Sequence, residues 1–168
     1  PEPLTPASSH LQLFDGYIEN TRMRARQIRV PYSNKWTRIL QQRFPAMENE
    51  YAVTKLAEIY LNDAEYGVLE PLIGSEIRKN RYFHEFDRVS FAFDVYLGLL
   101  WGLNTARIDF ERREQMDNFV PPPFAIFEVT EDVFFAGDNL VGKTFADVQA
   151  EVAKIGRSLP HVTEMPDE

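Results

Sequence analysis

The chain contains no cysteine. That excludes disulfides, thiolate nucleophiles and cysteine-based zinc sites. Its three histidines, His10, His84 and His161, form no E-x-x-H or H-x-x-x-H pair, so the usual spacing of a zinc or di-metal helical site is missing. Its serines lack the G-x-S-x-G context of a nucleophile elbow. No apolar run near Pro1 marks a secretory signal. No repeat of about 20–50 residues is visible. These absences together point away from catalysis, and from any catalytic, metal-binding or cofactor-binding residue.

What is present is a 168-residue chain, long enough to bury a core as one unit. Aromatic residues make up 13%, too many for a disordered chain. The net charge of −8 is unevenly spread. From Thr21 to Met47 the chain has Arg22, Arg24, Arg26, Arg29, Lys35, Arg38 and Arg43 and no acid. Nucleic acid, anionic lipid or an acidic protein surface would each match such a stretch. The overall acidity and the lack of an aromatic RNP-type segment disfavour nucleic acid. On a helix, Arg22, Arg24 and Arg26 would spread around the circumference, beyond the reach of one internal acidic face. Arg22, Arg24, Arg26 and Arg29 are therefore expected to form an interaction surface.

The stretch Ile77–Met116 reads as the central helix. Phe86, Val89, Phe93, Tyr96, Leu100, Leu103 and Phe110 step by three, four or seven residues. Gly98, Gly102 and Ala106 fall four apart, the small-xxx-small spacing that lets helices approach closely. Val89–Ala106 carries one formal charge, Asp94, which argues for a buried helix of a soluble domain over a membrane span. Asp94 itself is expected at the helix rim, paired with an arginine or a backbone donor. A pocket of His84, Glu85 and Asp94 would be the alternative, a helical ligand-binding domain or enzyme.

The other segments are read as follows. Residues 1–9 form an arm. A helix runs from Ser9 toward Arg29, where Asp15-Gly16 is a possible break, and Pro31 ends it. Two further helices cover Trp36–Phe44 and Glu48–Asn62, and a connection with one helical turn follows at Val68–Leu72. The helical core spans 10–118. Residues 119–144 are proline-rich and extended or a hairpin, with Ala125–Val129 and Val133–Ala136 as candidate strands. A C-terminal helix covers 145–156, capped by Thr144 with Asp147 in a capping box, and 157–168 is a tail.

Gly137-Asp-Asn-Leu-Val-Gly142-Lys143-Thr144 matches the phosphate-binding G-x-x-x-x-G-K-T pattern. Only 24 residues follow it. They cannot supply the parallel strand that would carry the second acid of such a site, so turn glycines and a Thr cap explain the letters better than nucleotide binding. The resulting expectation is a mainly α fold of four to five helices around a long central one. Its function would be that of a non-catalytic accessory subunit of a larger assembly, whose partners are other protein subunits, with anionic lipid a further candidate and a small-molecule substrate not expected. The arginine-rich composition resembles organellar targeting sequence and suggests a mitochondrial, membrane-associated complex.

Overall fold

The computed structural model describes residues 5, 7–47 and 50–158. It corrects the fold class. The chain is mainly antiparallel β, a seven-stranded sheet curled into a half-barrel. The strands are β1 (His10–Ile18), β2 (Met23–Val30), β3 (Lys35–Met47), β4 (Glu50–Leu61), β5 (Ile73–Phe86), β6 (Val89–Tyr96) and β7 (Asn104–Arg107). Their spatial order is β4-β3-β2-β1-β5-β6-β7.

The helices assigned to the core are thereby reassigned, apart from the helical turn expected at Val68–Leu72, which the structure has. Ser9–Arg29 is the β1–β2 hairpin, Trp36–Phe44 lies in β3, and the described part of Glu48–Asn62 is β4. The central helix is replaced by β5, β6, a 3-10 turn at Gly98–Leu100, β7 and a short helix α2 (Arg113–Asp117). The turns explain how. Asp87 and Arg88 both adopt positive φ, 47° and 63°, the backbone of a type I′ hairpin turn. Asn20 (φ 59°) and Asn34 (φ 53°) mark the β1–β2 and β2–β3 turns, because asparagine tolerates the left-handed region better than most residues.

A helix does form in the connection between β4 and β5. α1 (Asp63–Leu69) starts at Asn62, whose side chain accepts from the Glu65 amide while the Glu65 carboxylate accepts from the Asn62 amide. This reciprocal cap satisfies two of the donors that a helix start leaves free. A 3-10 turn follows at Glu70–Leu72.

Residues directly opposite each other on paired strands share a face, so the register sorts the sheet. The outer face carries Phe14, Trp36, Tyr82, Phe91 and Phe93. Tyr66 of α1 accepts a hydrogen bond from Gln27 on this face (2.7 Å). Phe124 packs edge-on against Phe86 and Phe91, and Phe119 against Phe91 and Phe110. The segment after β7 thus covers the outer side of β5 and β6.

At one end of the inner face, Ile77 and Tyr96 form a core with Leu100, Leu103, Leu140 and Val148. Leu140 belongs to α3 (Gly137–Leu140) and Val148 to α4 (Phe145–Ser158). Thr144 and Asp147 cap α4: the Asp147 carboxylate accepts from the Thr144 amide and hydroxyl, both 2.8 Å. Of the expected strands near 125–136, the second is a 3-10 turn at Val133–Phe135, and the first is not a strand. The arm at 1–9 lies largely, and the tail at 157–168 mostly, outside the described residues.

The glycine seam does not exist. Gly98 (φ +65°) opens the turn after β6 and Ala106 lies on β7. Gly102 (φ +110°) sits so close to the Phe145 ring that a Cβ there would be 2.8 Å from it. Its small size serves a turn and a helix contact, not a line of helix packing. No helix among the described residues is long and apolar enough to cross a membrane, and residues 89–106 are two strands and a turn.

Candidate functional site

The middle of the inner face is charged. By register it presents Asp15 on β1, Arg24 and Arg26 on β2, Gln41 and Arg43 on β3, Glu58 on β4, Lys79 and Arg81 on β5, Asp94 on β6 and Arg107 on β7. Six cations there face three carboxylates. A chain whose net charge is −8 thus collects positive charge on one curved surface.

Two carboxylates organise the cations. Asp15, 1% exposed, accepts from Arg26 through Nε (2.5 Å) and Nη2 (2.7 Å). Arg24 Nη1 approaches it at 3.6 Å and Lys79 Nζ at 3.9 Å. Asp94, 5% exposed, accepts from Arg81 through Nε (2.6 Å) and Nη2 (2.7 Å), and from Lys79 Nζ (2.7 Å). Lys79 bridges the two acids. Toward the other edge, Arg24 Nε donates to Gln41 Oε1 (2.7 Å), and Gln41 in turn donates to Glu58. One polar network therefore runs from β4 to β6.

Burial alone would push the Asp15 and Asp94 carboxyls toward their neutral forms. The hydrogen bonds from Arg26 and Arg81, with the charges of Arg24 and Lys79 added, outweigh it and hold both below the ordinary carboxylate range. Burial lowers the Lys79 pKa, although Asp94 and Asp15 oppose it. Burial also raises the phenols beside the network. Tyr96 is pushed up to about 12 with help from the Asp94 charge, and Tyr17 rises with help from Asp15.

Arg43, Arg24 and Arg107 are less fully matched. The Arg43 pKa is lowered, first by desolvation, then by the charges of Arg107 and Arg24. Its Nε donates to Thr54 (3.3 Å), which supplies no counter-charge. Arg107 Nη2 pairs with Asp109 (2.8 Å), while its Nε is sealed from solvent without a partner among the described residues. Arg43 lies on the second strand of the sheet and Arg107 on the last. By register both lie on the inner face, and the curl of the sheet turns their two strands toward each other. Three guanidiniums on one curved face offer the donor forks and positive charge that suit a multiply charged anion.

The residues singled out from sequence separate accordingly. Arg24 and Arg26 belong to this face, where strand alternation aligns them instead of dispersing them. Arg22 stacks over Phe44 at 4.6 Å. Arg29 lies on the outer face over Trp36 at 5.7 Å. Asp94 is paired with an arginine as expected, but deep in the sheet. His84 points to the opposite face from Glu85 and Asp94, so those three do not converge. His161 lies outside the described residues. Arg43, Lys79, Arg81 and Arg107 were missed. Their signal was alternation within R-K-N-R-Y and its neighbours, which a charged inner face disguises.

The G-x-x-x-x-G-K-T letters form helix α3, a turn at Gly142 (φ +74°) and the cap of α4. A 3-10 turn precedes them in place of the strand that the sequence suggested. Among the described residues, no three of His, Cys, Asp or Glu are grouped to hold a metal ion.

No family model matches the chain, and no curated protein does. Solved structures do. The crystal structure of the inorganic triphosphatase NE1496 is similar at a TM-score of 0.53 and 22% identity, covering 82% of this chain and 90% of that one. A crystal structure of the hypothetical protein NE1496 is similar at 0.55 and 21%, covering 84% and 93%. At these identities the likeness is one of fold. This likeness overturns the expectation of a non-catalytic, all-α, membrane-associated accessory subunit. That expectation stood on a helical core, a glycine line and a basic stretch, and the helical core is replaced by the β fold of these solved structures.

Proposed function

We propose that this chain binds inorganic triphosphate or a related short phosphate chain on the inner face of its half-barrel. The observation that carries the proposal is the charge of the inner face, where Arg24, Arg43 and Arg107 join Arg26, Lys79 and Arg81 against three carboxylates. The fold shared with a protein named an inorganic triphosphatase supports the choice of anion. This reading replaces the expectation that a small molecule is not the partner.

The geometry favours anion binding for a physical reason. A guanidinium offers a planar fork of donors that matches phosphate oxygens. Asp15 and Asp94 hold Arg26, Arg81 and Lys79 in fixed positions, so an incoming phosphate meets an ordered positive field and little reorganisation is needed. Positioning and charge neutralisation are most of what phosphoryl transfer asks of a protein. Neither buried carboxylate is free to take a proton, because both are engaged by cations and held ionised.

Calorimetric titration with inorganic triphosphate tests the reading, with phosphate release measured in parallel. Arg43→Gln and Arg107→Gln should each weaken binding by about 10- to 100-fold, from ~1.5–3 kcal/mol per charged hydrogen-bonding group. Binding should also weaken with added salt. Equal affinity for triphosphate in the wild type and the double variant would refute the site.

A further inference from the structure

The site needs Arg43 and Arg107 to face each other, yet they sit near opposite edges of an open sheet. Hydrogen bonds within the sheet do not set that separation, because β4 and β7 are its two ends. Something outside the ladder has to hold the curl. Among the described residues, polar contacts join the segment after β7 to the start of β4. Glu131 accepts the backbone N–H groups of Tyr51 and Ala52, at 3.0 Å each. Arg113 Nη1 pairs with Glu50 Oε1 at 2.6 Å.

The local backbone shows why a carboxylate is used. The β3–β4 register slips between Pro45 and Met47, and proline has no N–H to offer the ladder. At the start of β4, two consecutive amides turn to one acceptor. A carboxylate with two oxygens satisfies both, and its charge strengthens each bond. It also covers an edge that would otherwise be open to foreign strands. The segment is anchored elsewhere by Phe119 and Phe124 on the outer face of β6, so a pull at Glu131 is transmitted to the β6–β7 side of the gap.

We propose that Glu131 is a positioning residue for the anion site: by clasping the edge of β4 it fixes the width of the half-barrel and so the spacing of the arginines on its opposite walls. This role rests on the phosphate-binding reading above. Glu131 touches neither the arginines nor the ligand. Its effect is geometric, and it differs from that of Arg43 or Arg107 in a measurable way. Loss of an arginine removes a contact at unchanged width, whereas loss of the clasp changes the width and leaves every contact group in place.

The experiment uses the whole chain with Glu131→Ala and Glu131→Gln, the second keeping one acceptor oxygen. Inorganic triphosphate is the probe. Because the chain has no cysteine, Lys55→Cys on β4 and Asn104→Cys on β7 give a unique pair of spin-label positions, both exposed. Glu131→Ala should weaken triphosphate binding about tenfold, and Glu131→Gln should fall between it and the wild type. The label–label distance should lengthen or broaden in the same order, with circular dichroism unchanged. Wild-type affinity in Glu131→Ala, or weakened binding at an unchanged distance, would overturn the clasp while leaving the site. Failure of the wild type to bind triphosphate would instead refute the site and this role with it, even if the distance changed.

Discussion

Replacing Asp15 by Asn should destabilise the protein more than almost any other single change on the sheet. The carboxylate is 1% exposed and accepts two hydrogen bonds from Arg26, with Arg24 and Lys79 within 4 Å. An amide keeps the shape but removes the charge, and its NH₂ would meet a guanidinium donor. Arg26 and Lys79, both buried, would then lack part of their counter-charge. Breaking a buried pair in this way costs about 3–5 kcal/mol. For a domain of this size each kcal/mol lowers Tm by ~2–4 °C, so a fall of roughly 6–20 °C is expected at neutral pH. Thermal unfolding followed by circular dichroism reads it. The pH dependence carries the sign. The folded pKa of Asp15 is lowered, so its contribution is present above the unfolded value of about 3.9 and is lost as pH falls toward the folded one. The gap between wild type and Asp15→Asn should therefore be constant from pH 7 to about 5 and narrow only below about 4. A Tm loss under ~3 °C at pH 7, which corresponds to about 1 kcal/mol, would show that the network is solvated and the burial argument wrong.

Gly102→Leu should cost about 1–3 kcal/mol, because it forces a side chain into positive φ and against the Phe145 ring; an unchanged denaturant midpoint would contradict this. Tyr96 should ionise late, near its raised pKa of about 12. Stability from its neutral phenol is present below the unfolded value of about 10 and lost as pH rises through the folded one. Ultraviolet titration of wild type against Tyr96→Phe should show one fewer late-ionising tyrosine, and identical curves would refute the assignment.

The helical reading failed for a specific reason. Strands are recognised by alternation of apolar and polar residues on the assumption that the inner face is apolar. Here the inner face carries Asp15, Arg26, Lys79, Arg81 and Asp94, and the outer face carries Phe14, Trp36, Tyr82, Phe91 and Phe93. The alternation is present but inverted, and the aromatic residues of β5 and β6 fall by accident on three- and four-residue steps. Turn chemistry held the better clue. Asn20, Asn34 and Asp87 all lie in left-handed turns, and their spacing marks hairpins rather than helix ends.

Some properties were determined by the sequence alone, because they depend on covalent chemistry or on the nearest few residues. The lack of cysteine excludes thiol chemistry in any fold. The Thr144–Asp147 cap and the helix it starts are local, since both partners lie within one turn. The excess of arginine between Thr21 and Met47 was equally plain. Which arginines would meet was not. Arg24 and Arg43 come from neighbouring strands but Arg107 from the far edge of the sheet, and only hydrogen-bonded register and the curl of the sheet put them on one surface. Pairing of that kind is decided by contacts between distant residues, which no local pattern encodes. The charged inner face is therefore a property of the tertiary structure, made from charges that the sequence displayed but could not bring together.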